Sequence, residues 1–317
     1  MTIAPPRDGP AARLDSGARR FLELLAAAAK PRADAPTLED LRAATDGLAA
    51  FAAPPPPVER RDETLAGGRF AVRVYAPPGG GDSPTPALLY FHGGGWISGG
   101  IASHDAICAT LAARGDCRVI AVDYRLAPEH RFPAALEDGA AALRAIAADP
   151  RRFGVDPGRL GIAGDSAGAN LAVVLAGETP TPLALQLLLC PVLGPLGRTK
   201  SRATLASGWL IEEATMAAYW DGYRVAGLSP DDQRVAPLGD GDFARLPRAL
   251  IHVAEFDPLR DEGELYAAAL TAAGVRTEFT VHAGLIHHFY GLGGLIPAAQ
   301  AAFEGVCDGL KLAWSTT

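Results

Sequence analysis

Gly164-Asp165-Ser166-Ala167-Gly168 is the segment of this chain best suited to nucleophilic chemistry. A serine with glycine two residues away on either side fits a sharp strand-to-helix turn that lifts its hydroxyl clear of the backbone. A side chain at either glycine would drive strand and helix into each other. The helix that follows aims its first N–H groups at the reacting oxygen. The pentapeptide alone is a weak signal, because a serine capping a helix in a tight turn looks the same. Its setting is more specific: residues 160–163 form a short apolar strand pattern, and residues 167–175 a small-residue helix. A second segment, Phe91-His92-Gly93-Gly94-Gly95-Trp96, follows the apolar run 87–91. Acyl transfer needs preorganised N–H donors where an oxyanion develops, and glycines let backbone come close to a ligand. The loop is expected to supply one donor, joined by the N–H of Ala167. His92 is expected to shape this loop and not to serve as the base. The bland alternative is a flexible glycine turn.

A serine hydroxyl needs a base, and the base an orienting acid. The strand pattern 249–253 runs out into Glu255, Asp257, Asp261 and Glu262. Asp257 sits at the strand's exit, before Pro258, where a turn lets a carboxylate reach across. Asp261 and Glu262 read as the first turn of the next helix, where acids favour the dipole. Glu255 is a further rival. After the strand pattern 277–281 come His282, His287 and His288. His282 belongs to the strand end and reads as a packing or surface histidine. His287 and His288 share a loop, and spacing alone does not separate them.

The elements that must position these residues alternate along the chain. Residues 69–75 alternate as an antiparallel strand. Runs 87–91, 118–122 and 183–189 are continuously apolar, as in buried parallel strands. Helical patterns cover 134–147, 262–273 and 297–312. Such alternation predicts a mostly parallel sheet with helices on its faces. Two helical patches, 12–29 and 37–51, precede Pro54-Pro55-Pro56-Pro57, a stiff linker after an N-terminal arm. Residues 197–225 break the rhythm and read as an insertion over the carboxyl edge of the sheet.

The bulk numbers exclude several classes. With 317 residues, 49% hydrophobic and 21% charged, the chain has ample material for a packed core. A net charge of −7 and the lack of a Lys/Arg cluster argue against a nucleic-acid partner. No apolar run reaches the ~20 residues of a membrane span, and the first residues have no signal-peptide core; a cytoplasmic location is expected. Cys108, Cys117, Cys190 and Cys307 lack any metal-binding spacing and are expected to be reduced and buried.

Together these motifs resemble the hormone-sensitive-lipase-like family of microbial carboxylesterases, from about residue 60 to the C-terminus. The resemblance rests on HGGGW (92–96), GDSAG (164–168), DYRLAPEH (123–130) with FPAA (132–135), DPLRDEG (257–263) and IHHF (286–289). It implies an α/β-hydrolase fold, a catalytic body of residues 58–196 and 226–317, and a helical cap made by the arm (1–57) and the insertion (197–225). Trp209, Leu210, Met216, Tyr219 and Trp220 would line the pocket or form the cap's own core. It implies the triad Ser166, His287, Asp257, and the oxyanion donors Gly93, Gly94 and Ala167. His288 stands where the family usually has glycine. The DYRLAPEH run, which spacing alone reads as a loop with a surface ion pair, would be scaffold behind the site. The implied activity is hydrolysis of short- to medium-chain acyl esters of small molecules through an acyl-enzyme, with no metal and no cofactor. Amidase, deacetylase or lactonase action would use the same triad; a non-catalytic ligand receptor would lack the histidine. Family members often pair through the edge strand near 277–281, which suggests a homodimer.

Overall fold

The computed structural model describes residues 12–28, 36–81, 83–194, 198–239 and 241–316. The expected helix end at Ala29 and the insertion's start at Gly197 fall outside them. Eight strands form one sheet: β1 (Glu59–Leu65), β2 (Phe70–Ala76), β3 (Thr85–Phe91), β4 (Arg118–Asp123), β5 (Val155–Asp165), β6 (Leu185–Leu189), β7 (Arg248–Phe256) and β8 (Thr277–Ile286). Their order is β1-β2-β4-β3-β5-β6-β7-β8. β1 and β2 run antiparallel to their neighbours; β3 to β8 pair in parallel.

Successive side chains of a strand point to opposite faces, so a sheet covered on both sides needs apolar residues at every position. β6 is buried throughout, and β3 at all but Thr85. Leu89, Phe91, Ile162, Leu188 and Ile251 join one core, with residues of α4 (Ala134–Ala148), α5 (Ala167–Glu178) and α8 (Arg260–Ala272). Leu88, Tyr90, Ala163, Leu187 and Leu250 join the other, with α3 (Asp105–Gly115), α9 (Pro297–Trp314) and Phe21 and Leu22 of α1 (Ser16–Ala28). The second arm helix, α2 (Leu38–Gly47), starts with a capping box between Thr37 and Asp40. The insertion contains α6 (Lys200–Thr204) and α7 (Glu213–Tyr223).

Two elements lie beyond the sequence expectation. β1, ERRDETL, buries only Leu65 and is held by its backbone register against β2, so no hydrophobic alternation marks it. α3 is buried on most sides, which removes the 3.6-residue stripe that identifies a surface helix.

The DYRLAPEH segment departs from its reading as a surface loop. Asp138, fully buried, accepts from Arg125 Nε at 2.9 Å and from Arg69 Nε at 3.0 Å. It also accepts the Arg125 N–H at 3.1 Å. Removing one partner of a buried ion pair leaves the others uncompensated, at a cost of about 3–5 kcal/mol. Asp138→Ala should therefore lower the unfolding free energy in urea by about 3 kcal/mol; a loss under about 1 kcal/mol would contradict the buried-pair account.

Candidate active site

β5 ends at Asp165 and α5 begins at Ala167, leaving Ser166 alone on the turn, with φ 53° and ψ −118°. A non-glycine residue at positive φ stores strain of about 1–3 kcal/mol and must be held by its surroundings. The Ser166 N–H donates to Leu189 O at 2.9 Å, and its carbonyl accepts from Asn170 N at 3.2 Å. A β-carbon at Gly164 would lie 2.4 Å from the Gly168 carbonyl carbon, and one at Gly168 would lie 2.0 Å from Phe91 O. The two glycines are a packing requirement of the turn.

β7 and β8 deliver the acid and the base. β7 extends through Glu255 to Phe256, and Asp257 follows as a fully buried residue. Asp257 Oδ1 accepts the Leu259 N–H at 2.8 Å, and Oδ2 lies 2.7 Å from His287 Nδ1. That leaves His287 Nε2 for another partner, in the cavity that Ser166 also lines. The rivals have other work. Glu255 accepts from Gly284 N at 2.9 Å and pairs with Arg13 at 2.7 Å. Asp261 accepts the Ser201 N–H at 2.7 Å. Glu262 is buried and accepts from Leu193 N at 2.6 Å, Gly194 N at 3.0 Å and Arg202 Nε at 2.6 Å. Both sit in the first turn of α8, as expected, but Glu262 is a buried tie to the insertion and not a surface acid. His282 belongs to β8, contacts His252 at 3.2 Å and packs on Phe289. His288 adopts φ 63°, ψ 18°, a left-handed conformation natural for the glycine usual there.

The glycine loop after β3 requires one correction. Gly93 N–H, expected as an oxyanion donor, donates to Asp165 Oδ1 at 2.9 Å. Among the described residues nothing accepts from the N–H groups of Gly94, Gly95 or Ala167. The free donors are thus shifted one residue along the loop. Arm helix α2 braces this loop. Arg42 Nε donates to Ile97 O at 2.8 Å, and its guanidinium pairs with Glu129 of the DYRLAPEH run at 2.6 Å. Thr45 Oγ1 meets Ser98 Oγ at 2.8 Å, and Ser98 Oγ donates to Gly94 O at 2.7 Å. Behind the loop, Tyr124 OH donates to His92 O at 2.8 Å and its ring stacks on His92 at 4.2 Å.

Above Ser166 lies a cavity of about 550 Å³. Leu22 and Leu25 of α1, Leu41 of α2, and Leu210 and Tyr219 of the insertion line it, together with His287 and His288. Trp209 instead stacks on Phe256 at 4.9 Å, and Trp220 is buried in the core.

Residues 88–291 match the family model described as alpha/beta hydrolase fold. The chain belongs to the α/β-hydrolase family. This hydrolase is 40% identical over 238 residues to the carboxylic ester hydrolase LipN of Mycobacterium tuberculosis, a match covering 71% of this chain and 62% of LipN. The carboxylesterase NlhH of the same organism is 38% identical over 239 residues, 73% of this chain and 74% of NlhH. The ester-hydrolase EH1AB1 from the metagenome of Lake Arreo, solved with a bipyridine phosphonate derivative, superposes with a TM-score of 0.88 at 35% identity, covering 95% and 99% of the two chains. With its HGGG and GDSAG motifs, the hydrolase falls in the hormone-sensitive-lipase-like, ester-hydrolysing branch of the family.

Two further residues of the site carried little sequence signal. Asp165, 1% exposed, accepts from Tyr90 OH at 2.6 Å and Tyr290 OH at 3.0 Å besides Gly93, and lies 3.4 Å from His104 Nε2. Burial alone would raise its carboxyl; His104, then His288 and the tyrosine hydroxyl, hold it well below the usual carboxylate range. A charged residue between two apolar elements was the only hint. Cys190 follows β6 at φ 46°, and its thiol lies within 4.8 Å of both the Asp257 oxygen and the His287 nitrogen. Burial and Asp257 push that thiol well up, so it stays protonated and can donate to the carboxylate. All four cysteines are free and buried. No helix among the described residues is long and apolar enough to cross a membrane.

The buried histidines make stability depend on pH. Burial pushes His92, His252 and His288 down to about 3, and His282 down to about 4. In the unfolded chain these rings take up protons near pH 6.5, so between about 4 and 6.5 the unfolded state binds more protons. Stability then rises with pH and is lost on acidification. Asp123, Glu178 and Glu262, raised by burial, oppose this only in part. The unfolding free energy should fall by about 2 kcal/mol or more between pH 7 and pH 5; urea titrations giving equal or greater stability at pH 5 would contradict the burial of these rings in neutral form.

Proposed function

We propose that the protein is a serine carboxylesterase acting on short- to medium-chain acyl esters, with Ser166 as nucleophile, His287 as base and Asp257 as orienting acid. The observation that carries this is the 2.7 Å contact between His287 Nδ1 and Asp257 Oδ2, with the imidazole and Ser166 lining one cavity. Asp257 fixes the tautomer that leaves Nε2 unprotonated and stabilises the imidazolium once it forms. His287 Nε2 takes the Ser166 proton as Oγ bonds to the ester carbonyl carbon. The carbonyl π electrons move to oxygen, where the N–H groups of Gly94, Gly95 and Ala167 hold them; Gly93 instead holds Asp165 in place. Collapse expels the alkoxide, which takes the proton from His287, and leaves an acyl-Ser166 ester. Water, deprotonated by His287, then adds to that ester, and Ser166 leaves with the proton. Each oxyanion donor contributes about 3–4 kcal/mol in related chemistry.

Ser166→Ala should reduce hydrolysis of p-nitrophenyl acetate by at least about 10³-fold with an unchanged circular dichroism spectrum; undiminished turnover removes the nucleophile. His287→Ala should lose a similar factor, whereas His288→Gly should keep more than a tenth of the activity. The reverse pattern would move the base to His288.

A further inference from the structure

We propose that the enzyme selects esters of a small acyl group with a bulky alcohol, and that Met216 sets the acyl limit. This rests on the serine-esterase reading above. Two cavities meet at Ser166. The larger, about 550 Å³, contains His287. The smaller, about 30 Å³, does not; Trp96, Val192, Ile211, Met216, Tyr219 and Leu259 wall it, and Gly95 and Ala167 border it.

Proton delivery decides which substituent goes where. The imidazole that takes the serine proton returns it to the leaving oxygen. The alcohol must therefore occupy the side of Ser166 where His287 stands, which is the large cavity. The oxyanion is directed to the N–H groups of Gly94, Gly95 and Ala167. The remaining substituent of the reacting carbon is the acyl chain, and the space left beside Gly95 and Ala167 is the small apolar cavity. At about 30 Å³ against about 550 Å³ this cavity is far the tighter of the two, so the acyl side favours the short end of the chain range while the alcohol side takes a bulky group.

Most of its walls are fixed. Trp96 stacks on Tyr223 at 4.7 Å and 9°. Leu259 is fully buried, and its N–H is held by the catalytic Asp257 carboxylate. Val192 N donates to Ser166 O at 3.3 Å, and Val192 O accepts from Asn170 Nδ2 at 3.0 Å. Met216 is the adaptable wall, an unbranched side chain on α7 with three rotatable bonds. The alcohol side has the volume of a small-molecule site and mixes Leu25, Leu41 and Phe51 with the polar His104, His288 and Tyr290.

An isomeric pair isolates the effect. Hexyl acetate and methyl heptanoate have the same composition, with the six-carbon chain on opposite sides of the ester. Followed by pH-stat, the wild-type enzyme should hydrolyse hexyl acetate with a kcat/KM at least about 100-fold higher, since a single methylene in a fixed pocket already discriminates by about 10–200-fold. Met216→Ala should narrow that ratio at least tenfold through faster turnover of methyl heptanoate. Equal rates in the wild type, or a preference for methyl heptanoate, would overturn the assignment of the two cavities while leaving the esterase reading intact. An unchanged ratio in folded Met216→Ala would remove Met216 as the limit, and if that variant does not fold, the wild-type ratio decides alone. Hydrolysis of neither ester would instead count against the esterase reading itself.

Discussion

Asp165 carries a negative charge where almost no water reaches it. A buried carboxylate costs several kcal/mol unless donors surround it, and here they come from separate parts of the chain. Tyr90 comes from β3, Gly93 from the glycine loop, His104 from the start of α3, and Tyr290 from the turn after His287. Asp165 itself is the last residue of β5, one peptide bond before Ser166. Satisfying this one charge thus fixes the elbow, the glycine loop and the histidine loop relative to one another. It also engages the Gly93 N–H, whereas among the described residues nothing accepts from the N–H groups of Gly94 and Gly95.

The rest of the site is braced outward from this point. Ser166 is kept at positive φ by the contacts of the elbow, and the glycines on either side have no room for a β-carbon. The glycine loop is tied from above by Arg42 and Thr45 of the arm. Arg42 in turn pairs with Glu129, so the arm, the loop and the DYRLAPEH segment form one connected support. On the acid side, Glu262 and Arg202 join α8 to the insertion that carries Met216 and Tyr219. The arm and the insertion, which line the cavity at Ser166, are therefore also tied to the glycine loop and to α8.

The parallel strands were legible because burial on both faces leaves continuous apolar runs: the runs 87–91 and 118–122 lie within β3 and β4. The elbow and its serine were legible because glycine spacing and a strand–helix context occur together. Spacing did not separate His287 from His288, and only the resemblance did; the left-handed backbone at position 288 shows why glycine is usual there, a conformation that local sequence does not reveal for a histidine. β1 was hidden because its pairing uses backbone and not apolar side chains. That the Gly93 N–H is engaged and those of Gly94 and Gly95 are not was hidden because all three glycines look alike in sequence, and only the partner Asp165 distinguishes them. Arg42–Glu129 joins residues 87 positions apart, and no local pattern predicts such a pair.

The central claim is a spatial one: a serine, an imidazole and a carboxylate converge beside three free backbone donors. A crystal structure of the enzyme inactivated with diethyl p-nitrophenyl phosphate tests it most directly. The account predicts phosphorus bonded to Ser166 Oγ, with the phosphoryl oxygen about 2.7–3.1 Å from the N–H groups of Gly94, Gly95 and Ala167, and Gly93 N–H still on Asp165. An adduct on another residue, or a phosphoryl oxygen turned away from those three donors, would contradict it.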